Sequence, residues 1–283
     1  MQTMMSFPRN PDLHCHSTAS DGHLPPAEVV RRAHANGVDM LALTDHDTFA
    51  GLEEATQEAQ RLGLTLIRGV EISVSFARET VHIVGLNVDS GHAELTAGLA
   101  ALRAGRQERA KRMGEALAEA GLPDVYEGAL AMTPNPEMIG RAHFARYIVA
   151  SGRMPDVGTV FRHYLGKGLP GYVEHEWARL EDVVGWIRAA GGVAVIAHPA
   201  RYRLGDIGMG HLFDRFIECG GEAVEVVSGS HSEDEVRHYA ELAKRRGLLA
   251  SRASDFHGVE ESRVDLGHCA PLPPGLEPVW SRF

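Results

Sequence analysis

Cysteine is scarce in this chain. Three occur in 283 residues, Cys15, Cys219 and Cys269, and none belongs to a C-x-x-C pair. An odd set with that spacing excludes a disulfide scaffold and a thiolate zinc knuckle. No apolar run approaches the length of a bilayer span, and the opening MQTMMSFPRNPD lacks a charged-then-apolar leader pattern, so a cytoplasmic protein without a membrane partner is expected. Positive charge is also in short supply: 28 Lys and Arg against 38 Asp and Glu leave a net charge of -10. That balance excludes a sequence-independent nucleic-acid coat, which needs a basic surface, but leaves room for a nucleotide in a local basic pocket. No segment marks an obligate protein partner.

With 44% hydrophobic residues over this length, the chain can bury the core of one large α/β domain, alone or with an insertion. Short β-type runs at Leu41–Thr44, Leu64–Ile67, Val81–Leu86, Val193–Ala197, Ala223–Val227 and Leu248–Ser251 alternate with amphipathic segments at Pro26–Ala35, Gly51–Arg61, Leu180–Ala190 and Glu233–Arg246. Such alternation predicts a parallel β/α architecture, either a barrel or an open sheet. It breaks between about Ala97 and Lys167, where a long Ala/Arg/Glu helix, a Pro-punctuated turn (Met132-Thr-Pro-Asn-Pro136) and further helix replace the strands. This segment is expected to be a helical insertion.

Histidine is unusually frequent, with 16 copies. The stretch Asp12-Leu-His-Cys-His-Ser-Thr-Ala-Ser-Asp-Gly22 supplies His14, His16 and Asp21. "ALTDHD" supplies Asp45 and His46, "IRGVEIS" Glu71, "TVHIVGL" His82, "VIAHPA" His198, and "ASDFHG" Asp255 and His257. Each is expected near the C-terminal end of a strand, where parallel β/α folds gather their active sites. Singly, Asp45 could cap a helix and His82 or His198 could be hydrogen-bonded core residues. Together, titratable groups ending nearly every strand are too costly to be packing alone. In an extended chain His14 and His16 share a face while Cys15 points away, and Asp255 pairs with His257 in the same manner. Imidazoles and carboxylates without thiolate favour manganese, zinc or iron. Nine candidate donors suit two or three ions sharing a carboxylate, an arrangement that activates water and clamps a phosphate.

In order, the motifs D-L-H-x-H-S with S-D-G, T-D-H, G-V-E, H-I-V-G-L, A-H-P and S-D-F-H resemble the polymerase and histidinol phosphatase (PHP) superfamily over almost the whole chain. The resemblance implies a distorted (β/α)7 barrel, here 1–96 and 168–283, with 97–167 as a cap. It implies a first ion at His14, His16, Glu71 and Asp255, a second at Glu71, His82 and His198, and a third at Asp21, His46 and His257. Asp21 stands where some relatives carry histidine, which implies a weaker or different third ion.

The insertion motifs "NPEMIGRAHFARYIVASG" and "VFRHYLGKGLPGYV" look like the bacterial branch that hydrolyses nucleoside 3',5'-bisphosphates, some members of which trim short RNA from the 5' end. That likeness implies a metal-dependent phosphatase, with manganese the leading ion, releasing the 3'-phosphate of a small nucleotide substrate. A 5'-3' exonuclease on short RNA or DNA and a histidinol phosphatase are the competing activities, and a non-catalytic PHP module is a competing class. Substrate contacts are expected from Arg141, His143, Lys167, Arg201 and Tyr202. Glu71 is the expected bridge, and the leaving oxygen is expected to take its proton from His198 or His231, the former only if it is not a ligand. By spacing, Arg103, Arg106 and Arg109 read as an exposed stripe on one helix face. Arg252, before S-D, replaces the small residue usual in relatives and is expected to alter the pocket floor.

Overall fold

The computed structural model describes residues 9–283; residues 1–8, with most of the stretch read for a leader, lie outside the described residues. One seven-stranded sheet runs in chain order: β1 (Pro11–Asp12), β2 (Met40–Leu43), β3 (Thr65–Phe76), β4 (Glu79–Leu86), β5 (Val193–Ile196), β6 (Ala223–Ser228) and β7 (Leu249–Ala253). The backbone N–H of Leu13 donates to Arg252 (3.1 Å), that of Asp255 to His14 (2.9 Å) and that of His16 to Phe256 (2.8 Å), so the last strand meets the first and the sheet curls into a barrel. Side chains reinforce this seam. The buried carboxylate of Asp12 accepts from the backbone N–H groups of Ser254 and Gly267, at 2.8 Å each.

The expectation of an all-parallel sheet needs one correction. β4 is antiparallel to both β3 and β5, whereas the other pairs are parallel. β3 does not stop at Ile67 but continues to Phe76 and reverses through Ala77 and Arg78, both at positive φ (48° and 65°). Two left-handed central residues make the primed hairpin turn that matches strand twist. The turn usually announces itself with Asn or Gly; Ala-Arg carries no such signal, so the hairpin is invisible in the sequence.

Helices α1 (Pro26–Ala35), α2 (Leu52–Leu62), α3 (Ala93–Glu119), α4 (Val125–Ala131), α5 (Arg141–Ala150), α6 (Val157–Val160), α7 (Leu180–Ala189), α8 (Gly205–Glu218) and α9 (Glu233–Arg246) complete the structure. α9 starts with a capping box, Ser232 Oγ accepting from the Glu235 N–H while Glu235 reaches back to Ser232, and stops at Gly247 (φ 66°). α8 escapes the sequence reading because Gly205, Gly208 and Gly210 erase the helical signal of its first turns.

Val29, Val30 and Ala33 of α1 and Ala55 and Ala59 of α2 pack with Leu41 and Leu43 of β2, while Val183, Val184 and Ile187 of α7 cover β3–β5. Each large apolar side chain fully withdrawn from water contributes roughly 1.5–3 kcal/mol. Between β4 and α7, helices α3–α6 bury a separate apolar cluster that includes Met113, Leu117, Phe144, Ile148 and Val160.

Candidate metal centre

His14 and His16 follow β1 directly, and pairing with Asp255 and Phe256 keeps the chain extended there. Both rings therefore face inward, while Cys15 points the other way and its thiol donates to the Ala42 carbonyl (3.3 Å). The chain then passes beneath His16. Gly22 is required by this approach, since a Cβ there would lie 2.5 Å from the His16 carbonyl oxygen. Asp21 is thus brought back toward the histidines. Around the site, three non-glycine residues sit at positive φ, namely Asp47 (45°), His198 (27°) and Asp255 (54°). Such conformations cost of order 1–3 kcal/mol and persist only where the surroundings impose them.

Four donors converge behind the barrel mouth. His14 Nε2 lies 3.1 Å from His16 Nε2, 3.4 Å from Glu71 Oε1 and 3.5 Å from Asp255 Oδ1; His16 Nε2 lies 3.4 Å from both Glu71 Oε2 and Asp255 Oδ1. Spacings of this order suit donors that would share one divalent cation. The same Glu71 Oε1 also sits 2.8 Å from His82 Nδ1 and 3.0 Å from His198 Nε2, which are 3.4 Å from one another. A third group gathers around Asp21, whose carboxylate is 3.5 Å from His257 Nε2, 3.7 Å from His16 Nδ1 and 3.8 Å from His46 Nε2. His46 also presents Nδ1 to Glu71 Oε2 at 2.8 Å, so this ring spans two groups. All nine expected donors lie in this assembly.

His82 needs a correction of placement. It occupies the N-terminal half of β4, and Glu71 the middle of β3. The reversal of β4 is what turns His82 toward the same barrel mouth as the C-terminal ends of its parallel neighbours.

The arrangement fits divalent cations on its own terms. Asp21 Oδ1, His198 Nδ1 and Asp255 Oδ1 are buried without a hydrogen-bond partner, while His46 Nδ1 and Glu71 Oε2 face each other and Asp255 Oδ2 faces Arg201. Leaving a buried polar atom unsatisfied costs about 1–3 kcal/mol, and so many in one place call for cations. Charge agrees. Burial works to raise the Glu71 and Asp255 pKa values, yet His46, His82 and His14 around Glu71, and Arg201 and His14 beside Asp255, hold both carboxyls well below their usual range. Burial, joined by the proximity of His257, pulls His16 down to about 4, and burial pulls His82 to about 4, leaving both neutral with lone pairs to donate. His46 goes the other way: burial lowers it, but Glu71 and Asp21 together lift it to about 9.

Beside the donors opens a small cleft of about 110 Å³, walled by Asp21, His46, His82, Arg106, Arg109, Arg141, Phe161 and Trp177 among others. The arginines overturn the exposed-stripe reading of α3. Arg106 and Arg109 are buried, at 9% and 8% exposure, and both guanidinium groups lie over Trp177. Helical spacing put them on one face correctly, but that face looks at the barrel. Arg106 is committed to Asp47 (Nε–Oδ2, 2.7 Å) and Ser73 (3.0 Å). Arg109 donates only to the Val173 carbonyl (3.3 Å), and among the described residues neither it nor Arg141 makes an ion pair.

The other expected contacts are distributed unevenly. Arg201 lies 2.7 Å from Asp255 and, with Arg141, borders a second opening on the far side of Asp21. Lys167 is instead tied to Glu79 (2.7 Å) and the Arg78 carbonyl at the tip of the β3–β4 hairpin, away from the cleft wall. The Tyr202 hydroxyl donates to the Ala197 carbonyl (2.8 Å) and accepts from the His82 N–H (2.9 Å), a clasp between strands. His143 Nδ1 accepts from the Gly140 N–H as part of the start of α5. His231 hydrogen-bonds the Val226 carbonyl and stacks on Tyr239. Asp45 neither caps a helix nor joins the donors; it accepts from Ser17 and Ser20 and shapes the loop carrying Asp21. Arg252 leaves the pocket floor alone: it points out of the barrel and donates to the carbonyls of Pro11, Gly267, Cys269 and Ala270.

The PHP domain model matches residues 12–188. The chain is a member of the PHP family. It is 52% identical over 271 residues to the 3',5'-nucleoside bisphosphate phosphatase of Chromobacterium violaceum, covering 96% of this chain and 95% of that one. It is 43% identical over 272 residues to the 5'-3' exoribonuclease of Haemophilus influenzae, with 96% and 98% covered. A solved structure from Chromobacterium violaceum, described as an amidohydrolase with bound sulfate and no metal, superposes with a TM-score of 0.93 at 52% identity, covering 96% of this chain and 95% of that one.

Two charged groups of this PHP site escape the sequence reading. Glu225, 1% exposed on β6, lies 2.6 Å from His14 Nδ1. Its only signal is one carboxylate among the valines of Ala223-Val-Glu-Val-Val227, costly unless paired. Asp47 follows His46 and receives Arg106, and the carbonyl of Asp47 accepts from Arg103 (3.0 Å). On the opposite side, Arg146 of α5 donates to the Asp21 carbonyl (2.5 Å) and pairs with Glu261 (2.8 Å). The PHP helical segment thereby grips the backbone next to His46 and at Asp21.

Proposed function

We propose that this chain is a phosphoric monoester hydrolase that removes the 3'-phosphate of a nucleoside 3',5'-bisphosphate, such as adenosine 3',5'-bisphosphate, giving the 5'-mononucleotide and phosphate. The carrying observation is the pair of guanidinium groups, Arg109 buried and Arg141 partly buried, without carboxylate partners beside the candidate donors. A charge held this way is offset only when an anion arrives, and one phosphate cannot occupy both the ion sites and the arginines. A bisphosphate brings two. The 52% identity to a protein of that activity supports the same reading.

The ion sites are the three groups above: His14, His16, Glu71 and Asp255; Glu71, His82 and His198; and Asp21, His46 and His257. Manganese is the leading ion, with zinc and iron as the others the donors suit. Ions held there supply Lewis-acid polarisation of the phosphoryl group and lower the pKa of water. Arg141 and Arg109 bind the second phosphate by charge-assisted bonds, Phe161 and Trp177 wall the nucleoside, and Arg201 keeps Asp255 oriented. Residues 97–167 act as a cap on the barrel of 1–96 and 168–283, with α3 and α5 excluding water from the cleft. His198, with Nε2 turned to Glu71, serves as a ligand rather than as the proton donor. The proposed site of action is the cytoplasm; no described helix is long and apolar enough to cross a membrane.

A second reading, 5'-3' exonuclease action on short RNA or DNA, is favoured by the opening beyond Asp21, where Arg141, Arg201, Ser230 and Arg263 could receive a continuing strand. Phosphate release from a panel of nucleoside bisphosphates, cyclic nucleotides, histidinol phosphate and short oligonucleotides, with manganese present, tests both. The expected result is fastest turnover of a bisphosphate. Preference for oligonucleotides or for histidinol phosphate would overturn the assignment.

A further inference from the structure

Glu225 is a buried carboxylate at the barrel mouth that lies outside the ion groups yet touches residues of two of them. It enters from β6 at 1% exposure, and its two oxygens have separate partners. Oε1 lies 2.6 Å from His14 Nδ1, and Oε2 accepts the backbone N–H of His198 at 2.7 Å. His198 is also the residue with a left-handed backbone, φ 27°. His14 belongs to the first candidate group and His198 to the second, and β6 contributes no donor to either.

We infer that Glu225 is a positioning residue joining the two ion sites. One oxygen fixes His14 as the Nδ1–H tautomer with its Nε2 lone pair aimed at His16, Glu71 and Asp255; the other holds the strained backbone that delivers His198 Nε2 to Glu71. A neutral imidazole carries a single N–H, so an acceptor at Nδ1 determines which nitrogen remains free to bind a cation. A carboxylate is the only side-chain group that offers two acceptors to two donors at once. Glutamine has the same shape but one acceptor. Turned to satisfy His14, its amide NH2 confronts the His198 N–H; turned to satisfy His198, it confronts the Nδ1–H and drives His14 to the tautomer with a proton where the cation should bind. Carboxylate–histidine–metal arrangements of this kind commonly tune ion affinity by 10–100-fold. The inference rests on the ion-binding reading of the site and is independent of which phosphate ester is hydrolysed.

The test is a metal titration of the full chain against a competing chelator, with manganese and with zinc, for the wild type, Glu225→Gln and Asp12→Asn. Asp12 is the control because it too is a buried carboxylate receiving two N–H groups, but both are backbone groups at the barrel seam, Ser254 and Gly267. The expected result is an affinity loss of about 10–100-fold for at least one ion in Glu225→Gln, with wild-type affinity in Asp12→Asn. Wild-type affinity in Glu225→Gln would overturn the inference, as would an equal loss in both variants. Should Glu225→Gln fail to fold, the wild type decides. In the zinc-loaded protein labelled with 15N-histidine, His14 should show a protonated Nδ1 and a metal-bound Nε2, and a protonated Nε2 would refute the role. Neither measurement involves turnover, so a wrong substrate would leave the outcome intact.

Discussion

Replacing Arg109 by methionine should make the free protein more stable and the enzyme worse. Burial, followed by repulsion from Arg141 and Arg106, drags the Arg109 guanidinium down to about 9. A displacement of that size corresponds to about 4–5 kcal/mol against the charged form. Methionine fills a similar volume without charge and keeps the contact with Trp177. It forfeits the bond to the Val173 carbonyl, about 1 kcal/mol. Exchanging a buried, poorly compensated charge for an apolar group is commonly neutral to stabilising by 1–4 kcal/mol, so we expect a net gain of about 1–3 kcal/mol in the free protein. For a chain of this size the Tm should rise by roughly 2–4 °C per kcal/mol. Activity should move the opposite way. Losing one charge-assisted phosphate contact costs about 1.5–3 kcal/mol, or roughly one to two decades in kcat/KM on a nucleoside 3',5'-bisphosphate. With a nucleoside 3'-monophosphate, which lacks the second group, most of that loss should vanish. Calorimetry and paired steady-state kinetics read both quantities. A falling Tm would show that Arg109 is already well compensated, and equal losses on the two substrates would show that it serves the reacting phosphate or the fold.

Glu71→Ala should reduce the ions retained per chain and cut kcat by several decades, because this carboxylate touches all three donor groups; elemental analysis retaining the wild-type ion count would refute the bridge. Glu261 is held down at about 2, burial opposing but Arg146 and His23 prevailing, so it contributes stability above its unfolded pKa of about 4.5 that disappears as pH falls toward 2. Acid unfolding of Glu261→Gln should accordingly be shallower over that window, by up to ~2 kcal/mol, and an unchanged slope would exclude the pair with Arg146. Arg252→Ala orphans four backbone carbonyls at the barrel seam and should cost at least ~3 kcal/mol in urea unfolding while leaving the ion count unchanged; a loss of ions would place Arg252 in the pocket after all.

The candidate donors are legible in the sequence because each sits in a short motif at or near a strand edge, and strand edges are what a barrel collects. Helices α1 and α9 are legible for a local reason too: a proline at the start of one, a capping box and terminal glycine on the other. What stays hidden depends on contacts distant in the chain. An arginine spaced along a helix looks the same whether it faces water or a barrel mouth, and only the docking of α3 distinguishes Arg106 and Arg109 from a solvated stripe. Glu225 is a single letter in an apolar strand until His14 is placed against it. Lys167 matches a motif, but its ammonium finds Glu79 first, a partner that the unsignalled Ala77-Arg78 turn brings to it.

The seam that closes the barrel has a consequence for synthesis. Asp12 and Ser254 meet across a separation of 242 residues, and the first donor group joins His14 and His16 to Asp255. On a ribosome that emits the chain from its N-terminus, the two histidines emerge early, and the carboxylate that completes their set comes roughly ten to fifty seconds later at ordinary elongation rates. Until then the first and third groups are incomplete, for want of Asp255 and His257, and only Glu71, His82 and His198 are all present. Loading of the first and third candidate sites is thereby deferred until translation is nearly finished, and ribosome-stalled chains ending before β7 should retain fewer ions than full-length chains.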